Sequence, residues 1–177
     1  MAQGEWNNWY FGQKAGITFQ NGSPPTALLN SNMVAGVAGV SVVSDSAGQL
    51  LFYTHGGGIF NRQHQIMLNS YGLHGYNVHE SVVAVPLPGS SDKYYVFTNG
   101  FLTSPPSPPG YTLEYSIVDM TLDNGLGGIL PAFKNVIVQG AELASGAITA
   151  VRHHNNCHIW IIAQTTDSPK RFLSYLL

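Results

Sequence analysis

"VAGVSVVSDSAGQLLFYT" runs from Val37 to Thr54. Two apolar runs flank Asp45-Ser46-Ala47-Gly48, and Asp first with Gly last suits a type I turn that closes on a left-handed glycine. Val, Thr, Phe and Tyr in the flanking runs favour a pleated backbone. The stretch therefore reads as a β-hairpin. The plan recurs in "ESVVAVPLPGSSDKYYVFT" (Glu80 to Thr98), with its turn at Pro88 to Asp92, and in "AITAVRHHNNCHIWIIAQT" (Ala147 to Thr165), with its turn at Asn155-Asn156. Asparagine tolerates positive φ, so Asn-Asn can close a tight hairpin. Each second strand carries aromatics: Phe52 and Tyr53, then Tyr94, Tyr95 and Phe97, then Trp160.

The first two turns lie about 43 residues apart, within the period of propeller blades, and the next interval is about 65. The longer one contains "NGFLTSPPSPPG" (Asn99 to Gly110), whose four prolines predict a surface loop. Further strands are expected in "IFNRQHQIM", "YTLEYSIVDM", "FKNVIVQ" and "RFLSYLL". The fold class is therefore all-β, with antiparallel blades in a β-propeller-like arrangement of about three blades, partial or completed by oligomerisation. One domain spans residues 1–177. Alternation along the strands predicts a core of Val40, Val42, Leu51, Tyr53, Val83, Val85, Tyr95, Phe97, Ile117, Ile148, Ala150, Trp160 and Ile162. "RFLSYLL" reads as an open apolar strand edge, so homo-oligomerisation through strand edges is expected, with the strand around Trp9-Tyr10-Phe11 completing a neighbour's blade; the alternative is that this strand folds back and caps its own chain, giving an open sheet stack.

Composition supports strands and turns. Charged residues are 9% of the 177, against roughly 25% in an ordinary soluble domain, and there are 20 Gly and 10 Pro. Seven scattered Lys and Arg, with a formal net charge of −2, exclude a basic nucleic-acid face. No apolar run approaches the length of a membrane span. "MAQGEWNNWY" has neither a charged nor an apolar leader region, so no signal peptide is expected within this chain. Cys157, the single cysteine, lies in the apolar run "CHIWII" and is expected to be a small buried hydrophobe.

His55-Gly56-Gly57-Gly58 matches one form of the oxyanion-hole segment of lipases. No G-x-S-x-G turn accompanies it, and no helical periodicity supports an α/β sheet. The three glycines are instead expected to join one strand to the next, where free φ and close backbone approach are useful.

Taken in order, "NNWYFGQKAGITFQNGSPPTAL", "SDSAGQLLFYTHGGGIFNRQHQIM", "VPLPGSSDKYYVFT", "YSIVDMTLDNGLGGIL", "KNVIV" and "ITAVRH…WIIAQ" resemble the N-terminal propeller-like region of large secreted proteins of Bacteroidetes-type bacteria. Those proteins continue into adhesin-like modules and a type IX secretion sorting domain. The resemblance implies secretion, a propeller-like fold and a surface or adhesion role. It supplies no catalytic residues. Thr54-His55-Gly56 stands where that family reads Thr-Asp-Gly, and His79-Glu80-Ser81 where it reads Thr-Gln-Ser.

The seven histidines form no metal-ligand motif, and turn or surface positions explain them, so neither metal nor cofactor is expected. Of nine carboxylates, Glu80 and Glu114 are the two outside evident turn contexts, and glycoside hydrolysis needs two across a cleft. Aromatic rings in loops can stack on the apolar faces of sugars. Tyr71, Tyr76 and Tyr111 are such rings, and with Glu80 and Glu114 they make the candidate ligand-binding set; Trp6, Trp9 and Tyr10 also cluster near the N-terminus. The expected function is a secreted or cell-surface binding or adhesion module for glycan or protein ligands. The alternatives are a propeller-type carbohydrate-active enzyme and a structural self-assembling module.

Overall fold

The computed structural model describes residues 4–20, 24–34, 39–75, 82–102, 110–141 and 144–177. Its strands are β1 (Asn8–Tyr10), β2 (Gly16–Thr18), β3 (Thr26–Leu28), β4 (Ser41–Ser44), β5 (Leu50–Thr54), β6 (Ile59–Asn61), β7 (Val82–Pro86), β8 (Lys93–Leu102), β9 (Gly110–Asp119), β10 (Gly128–Ile129), β11 (Val136–Ile137), β12 (Ala144–Arg152), β13 (Ile159–Thr165) and β14 (Phe172–Leu176). All strand-to-strand pairings are antiparallel. Among the described residues there is no α-helix, only short 3-10 turns. None is long and apolar enough to cross a membrane.

The three expected hairpins form as their turns direct. Asp45 Oδ1 accepts from the amides of Ala47 and Gln49, and Gly48 takes φ +84°. Asn156 sits at φ +58° with its amide donating to the His153 carbonyl. The glycine run joins β5 to β6.

The strands form four sheets: β1-β2-β3, β4-β5-β6, a central sheet of order β10-β9-β8-β7 with β11 also on β9, and β12-β13-β14. This corrects the expected three units. The segment around Trp9-Tyr10 builds a sheet of its own, with Trp9 paired to Ile17 and Ile17 to Ala27. A second correction concerns Asn99 to Gly110. Asn99 to Leu102 continue β8 and pair with Gly110 to Leu113, so this part is strand; residues 103–109 lie outside those described.

Successive sheets touch where β1 lies beside β4, where β4 lies beside β7, and where β12 lies against β7, β8 and β9. Each seam holds its own apolar core. Tyr10, Met33, Tyr53 and Phe60 fill the first, with the Tyr10 and Tyr53 rings stacked 4.6 Å apart. Burial pushes the Tyr10 hydroxyl up to about 12. Val43, Phe52, Ile59, Met67, Leu73, Val82, Val96, Val118 and Ile129 fill the second. Val85, Phe97, Leu113, Ala141, Ala144, Ile148, Ile161 and Ala163 fill the third.

This arrangement explains where simple alternation fails. Sheets two and three are covered on both faces, so consecutive residues such as Phe52 and Tyr53, or Val96 and Phe97, are all buried. The last sheet is covered on one face only. There Ile161 and Ala163 turn inward, and Trp160 and Ile162, expected in the core, lie only half buried on the other face. Cys157 is a further correction. It sits exposed in the His153–His158 turn, where Asn155 Oδ1 accepts from its amide.

Candidate functional site

Glu114 stands in β9 directly opposite Thr98 of β8 and beside Ile137 of β11. Alternation puts its side chain on the face that carries Val96 and Val118, but beyond their apolar cluster, among Thr98, Thr112 and Ser116. It is only 1% exposed. A buried carboxylate is tolerated when its oxygens are hydrogen-bonded. Here Oε2 accepts from His74 Nδ1 at 2.8 Å and Oε1 accepts from Thr112 Oγ1 at 3.3 Å. Burial pushes the carboxyl above its ordinary range, while the His74 and Thr112 bonds pull it partly back.

His74 reaches Glu114 because glycines let two backbones come close. A Cβ on Gly100 would stand 2.5 Å from the His74 Cβ, and one on Gly75 would stand 2.9 Å from the Thr98 Cβ. Gly56 has φ +86°, and a Cβ there would meet the Gly75 carbonyl oxygen at 2.6 Å. The Gly75 amide donates to the Gly56 carbonyl and the Gly72 amide to that of Gly57. So the glycines after His55 have a definite task. They anchor the 70–75 turn and, through it, hold His74 against β8 and β9.

The outer side of His74 is fixed as well. Asn135 Nδ2 donates to the Gly72 carbonyl at 3.0 Å, which orients the amide, and the same nitrogen lies 3.2 Å from His74 Nε2. Nε2 is therefore an acceptor and Nδ1 carries the proton donated to Glu114. Asn135 takes φ +53°, and its amide donates to Ser116 Oγ. Next to it, Lys134 Nζ donates to the Tyr71 carbonyl at 2.7 Å and to Asn69 Oδ1 at 3.5 Å. The Tyr71 side chain stands in solvent at 81% exposure, and the His74 ring is 44% exposed. Thr98 Oγ1 and Asn135 Oδ1 are buried without a hydrogen-bond partner, an arrangement that costs stability.

Of the five residues singled out from sequence, the structure thus joins Tyr71 and Glu114 through His74, Asn135 and Lys134. Tyr111 lies on strand β9, paired with Phe101, and not in a loop. Tyr76 and Glu80 lie outside the described residues. Glu114 is sealed from solvent and bonded to His74 and Thr112, so it faces no open cleft. Sequence reasoning missed His74, Lys134 and Asn135. The available signal was Gly100, since a glycine inside a strand marks close backbone approach. Of the N-terminal aromatics, Tyr10 is core, whereas Trp6 and Trp9 are exposed.

The result is a solvent-facing Tyr71 ring on a turn held by Lys134 and Asn135, in which the half-exposed His74 imidazole rests on the buried Glu114 carboxylate. Such a surface can stack against a flat apolar face and offer hydrogen bonds at its rim. Among the described residues, no group of three or more His, Cys, Asp or Glu is placed to hold a metal ion. Compared with known proteins, the chain matches no family model, no curated protein and no solved structure.

Proposed function

We propose that this chain is a secreted or cell-surface binding module that recognises glycans, free or carried on surface proteins, through Tyr71, His74, Lys134 and Asn135. The observation that carries the reading is the exposed Tyr71 ring, on a turn whose Tyr71 carbonyl accepts from Lys134 and whose Gly72 carbonyl accepts from Asn135, with the half-exposed His74 in the same turn. A sugar offers an apolar face for the ring and hydroxyls for the polar rim. The reading includes a partial β-propeller of four blades. It is supported by the run of adjacent first strands β1, β4, β7 and β12 and by one core per seam. The resemblance to propeller-like regions of large secreted bacterial surface proteins points the same way, as does the low charge content. Homo-oligomerisation through open strand edges belongs to the same proposal.

A glycan array probed with wild type and with Tyr71→Ala tests it. The expected result is binding of wild type to a subset of oligosaccharides and loss of that binding in the variant. Equal binding by both, or turnover of a bound oligosaccharide, sinks it.

A further inference from the structure

The 70–75 turn is held from two sides through one imidazole. On the inner side His74 Nδ1 donates to the buried Glu114 carboxylate at 2.8 Å. On the outer side Nε2 accepts from Asn135 Nδ2 at 3.2 Å, and the same Nδ2 donates to the Gly72 carbonyl at 3.0 Å. One ring nitrogen is thus a donor and the other an acceptor, the pattern of a neutral imidazole. A protonated ring carries a donor on each nitrogen and cannot keep it.

Asn135 has no way to adapt. With its amide turned over, Oδ1 would accept from Nε2 but would also stand against the Gly72 carbonyl oxygen, acceptor facing acceptor. Its backbone is fixed as well, at φ +53° with the amide donating to Ser116 Oγ at 3.0 Å. A proton on Nε2 therefore breaks the outer contact in either orientation of the amide. The inner contact gains, because it becomes a hydrogen bond between two charges. Lys134 adds to the imbalance. Its ammonium already holds the Tyr71 carbonyl, so a charged ring would put a second cation on the same turn.

We propose that the 70–75 turn is a proton-operated clamp: it is closed on Asn135 while His74 Nε2 is bare, and a proton there releases the turn, and Tyr71 with it, from the 134–135 segment. The ring is 44% exposed, so the proton arrives from solvent without unfolding. Among the described residues, the groups that face the ring are few. β9 contributes Glu114, and the 134–135 segment contributes Lys134 through the Tyr71 carbonyl. β8 approaches with Thr98 and Gly100, neither titratable. The glycine run carries His55, whose ring lies 5.9 Å from that of Phe60 and whose Nδ1 accepts from the Gly57 amide. Burial pushes the His55 imidazole below its ordinary range, so it charges late on acidification. His79 and Glu80 lie outside the described residues. That the clamp governs binding rests on the glycan reading above; the clamp itself does not.

NMR on the ligand-free full chain tests it, between about pH 8 and about pH 5, where histidines change charge. The His74 ring nitrogens, the Asn135 side-chain amide and the backbone amides of Tyr71 and Gly72 are followed together. The expected result is a bare Nε2 at the upper end, its protonation on acidification, and Asn135 and Gly72 signals that move with the same midpoint. His74→Asn keeps a nitrogen donor for Glu114 but has no Nε2, and should abolish those movements. Asn135→Ala serves if that variant does not fold, and should hold the Tyr71 and Gly72 signals at their acid positions throughout. The clamp is overturned by an Nε2 that is protonated at the upper end or bare at the lower. It is overturned equally by a ring that titrates while Asn135 and Gly72 stand still, or by movements that persist in His74→Asn, which would belong to His55. Binding is read separately. An oligosaccharide selected on the array should bind wild type at least about fivefold more weakly at the acid end, the lower range of coupling between two sites. Equal binding at both ends would overturn the control of binding, whereas no binding at any pH would sink the glycan reading and leave the ligand-free result as it stands.

Discussion

Glu114 and His74, forty positions apart in sequence, meet at 2.8 Å between Oε2 and Nδ1, with the carboxylate buried and the ring reaching solvent. The pair converts a core position of β9 into support for a surface side chain. It also has measurable consequences.

Because burial raises the Glu114 carboxyl above its ordinary 4.5, the folded state holds that proton more tightly than the unfolded state. The associated stability is fully present below 4.5 and is lost as pH rises through the raised value. Urea unfolding at a series of pH values should show wild type losing stability relative to Glu114→Gln across that window. His74→Ala, which leaves the carboxylate short of a partner, should cost about 1–3 kcal/mol at neutral pH. A flat difference between wild type and Glu114→Gln would contradict the burial described here.

Asp119 should behave in the opposite sense. Its Oδ1 accepts from the amide and hydroxyl of Thr121, its Oδ2 lies 3.2 Å from Lys93 Nζ, and these contacts hold the carboxyl below its ordinary 3.8. Its contribution is present above 3.8 and lost as pH falls through the depressed value. Asp119→Asn should therefore be less stable than wild type at neutral pH and converge with it in acid, as read by thermal melts.

Gly56 and Gly89 separate close packing from backbone strain. Both have positive φ, but a Cβ on Gly89 meets open space and one on Gly56 meets the Gly75 carbonyl. Gly89→Ala should cost about 1–2 kcal/mol from its left-handed backbone alone. Gly56→Ala should cost clearly more and should shift His74 resonances. Equal costs would mean that the 70–75 turn does not depend on that contact.

Cys157, exposed in its turn, should react with one equivalent of a thiol reagent in the folded protein, before any unfolding. Labelling that appears only in denaturant would restore the buried position that its apolar neighbours predicted.

That last case shows how much was legible. Turn chemistry at Asp45 to Gly48 and at Asn155-Asn156 placed two hairpins correctly, because the signal is local. Trp160 and Ile162 were misassigned because which face of a strand is buried depends on how many sheets flank it. Phe52 and Tyr53 were incompletely read for the same reason. The first sheet went unrecognised since its three-residue strands carry almost no periodicity. At the site, Tyr71 and Glu114 were visible as an exposed-type aromatic and an acid outside turn context. His74, Lys134 and Asn135 were not, since only the approach of Gly56, Gly75 and Gly100 to their neighbours brings those distant segments together.

The central claim is that ligand binds on the Tyr71 face. An amide and side-chain NMR titration of the full chain with oligosaccharides selected on the array addresses it most directly. The account predicts saturable shifts centred on Tyr71, His74, Lys134 and Asn135, and an affinity loss of about threefold to tenfold or more in Tyr71→Ala, as expected for one aromatic contact. Shifts confined to the Trp6–Trp9 region, or an affinity unchanged in Tyr71→Ala, would contradict it.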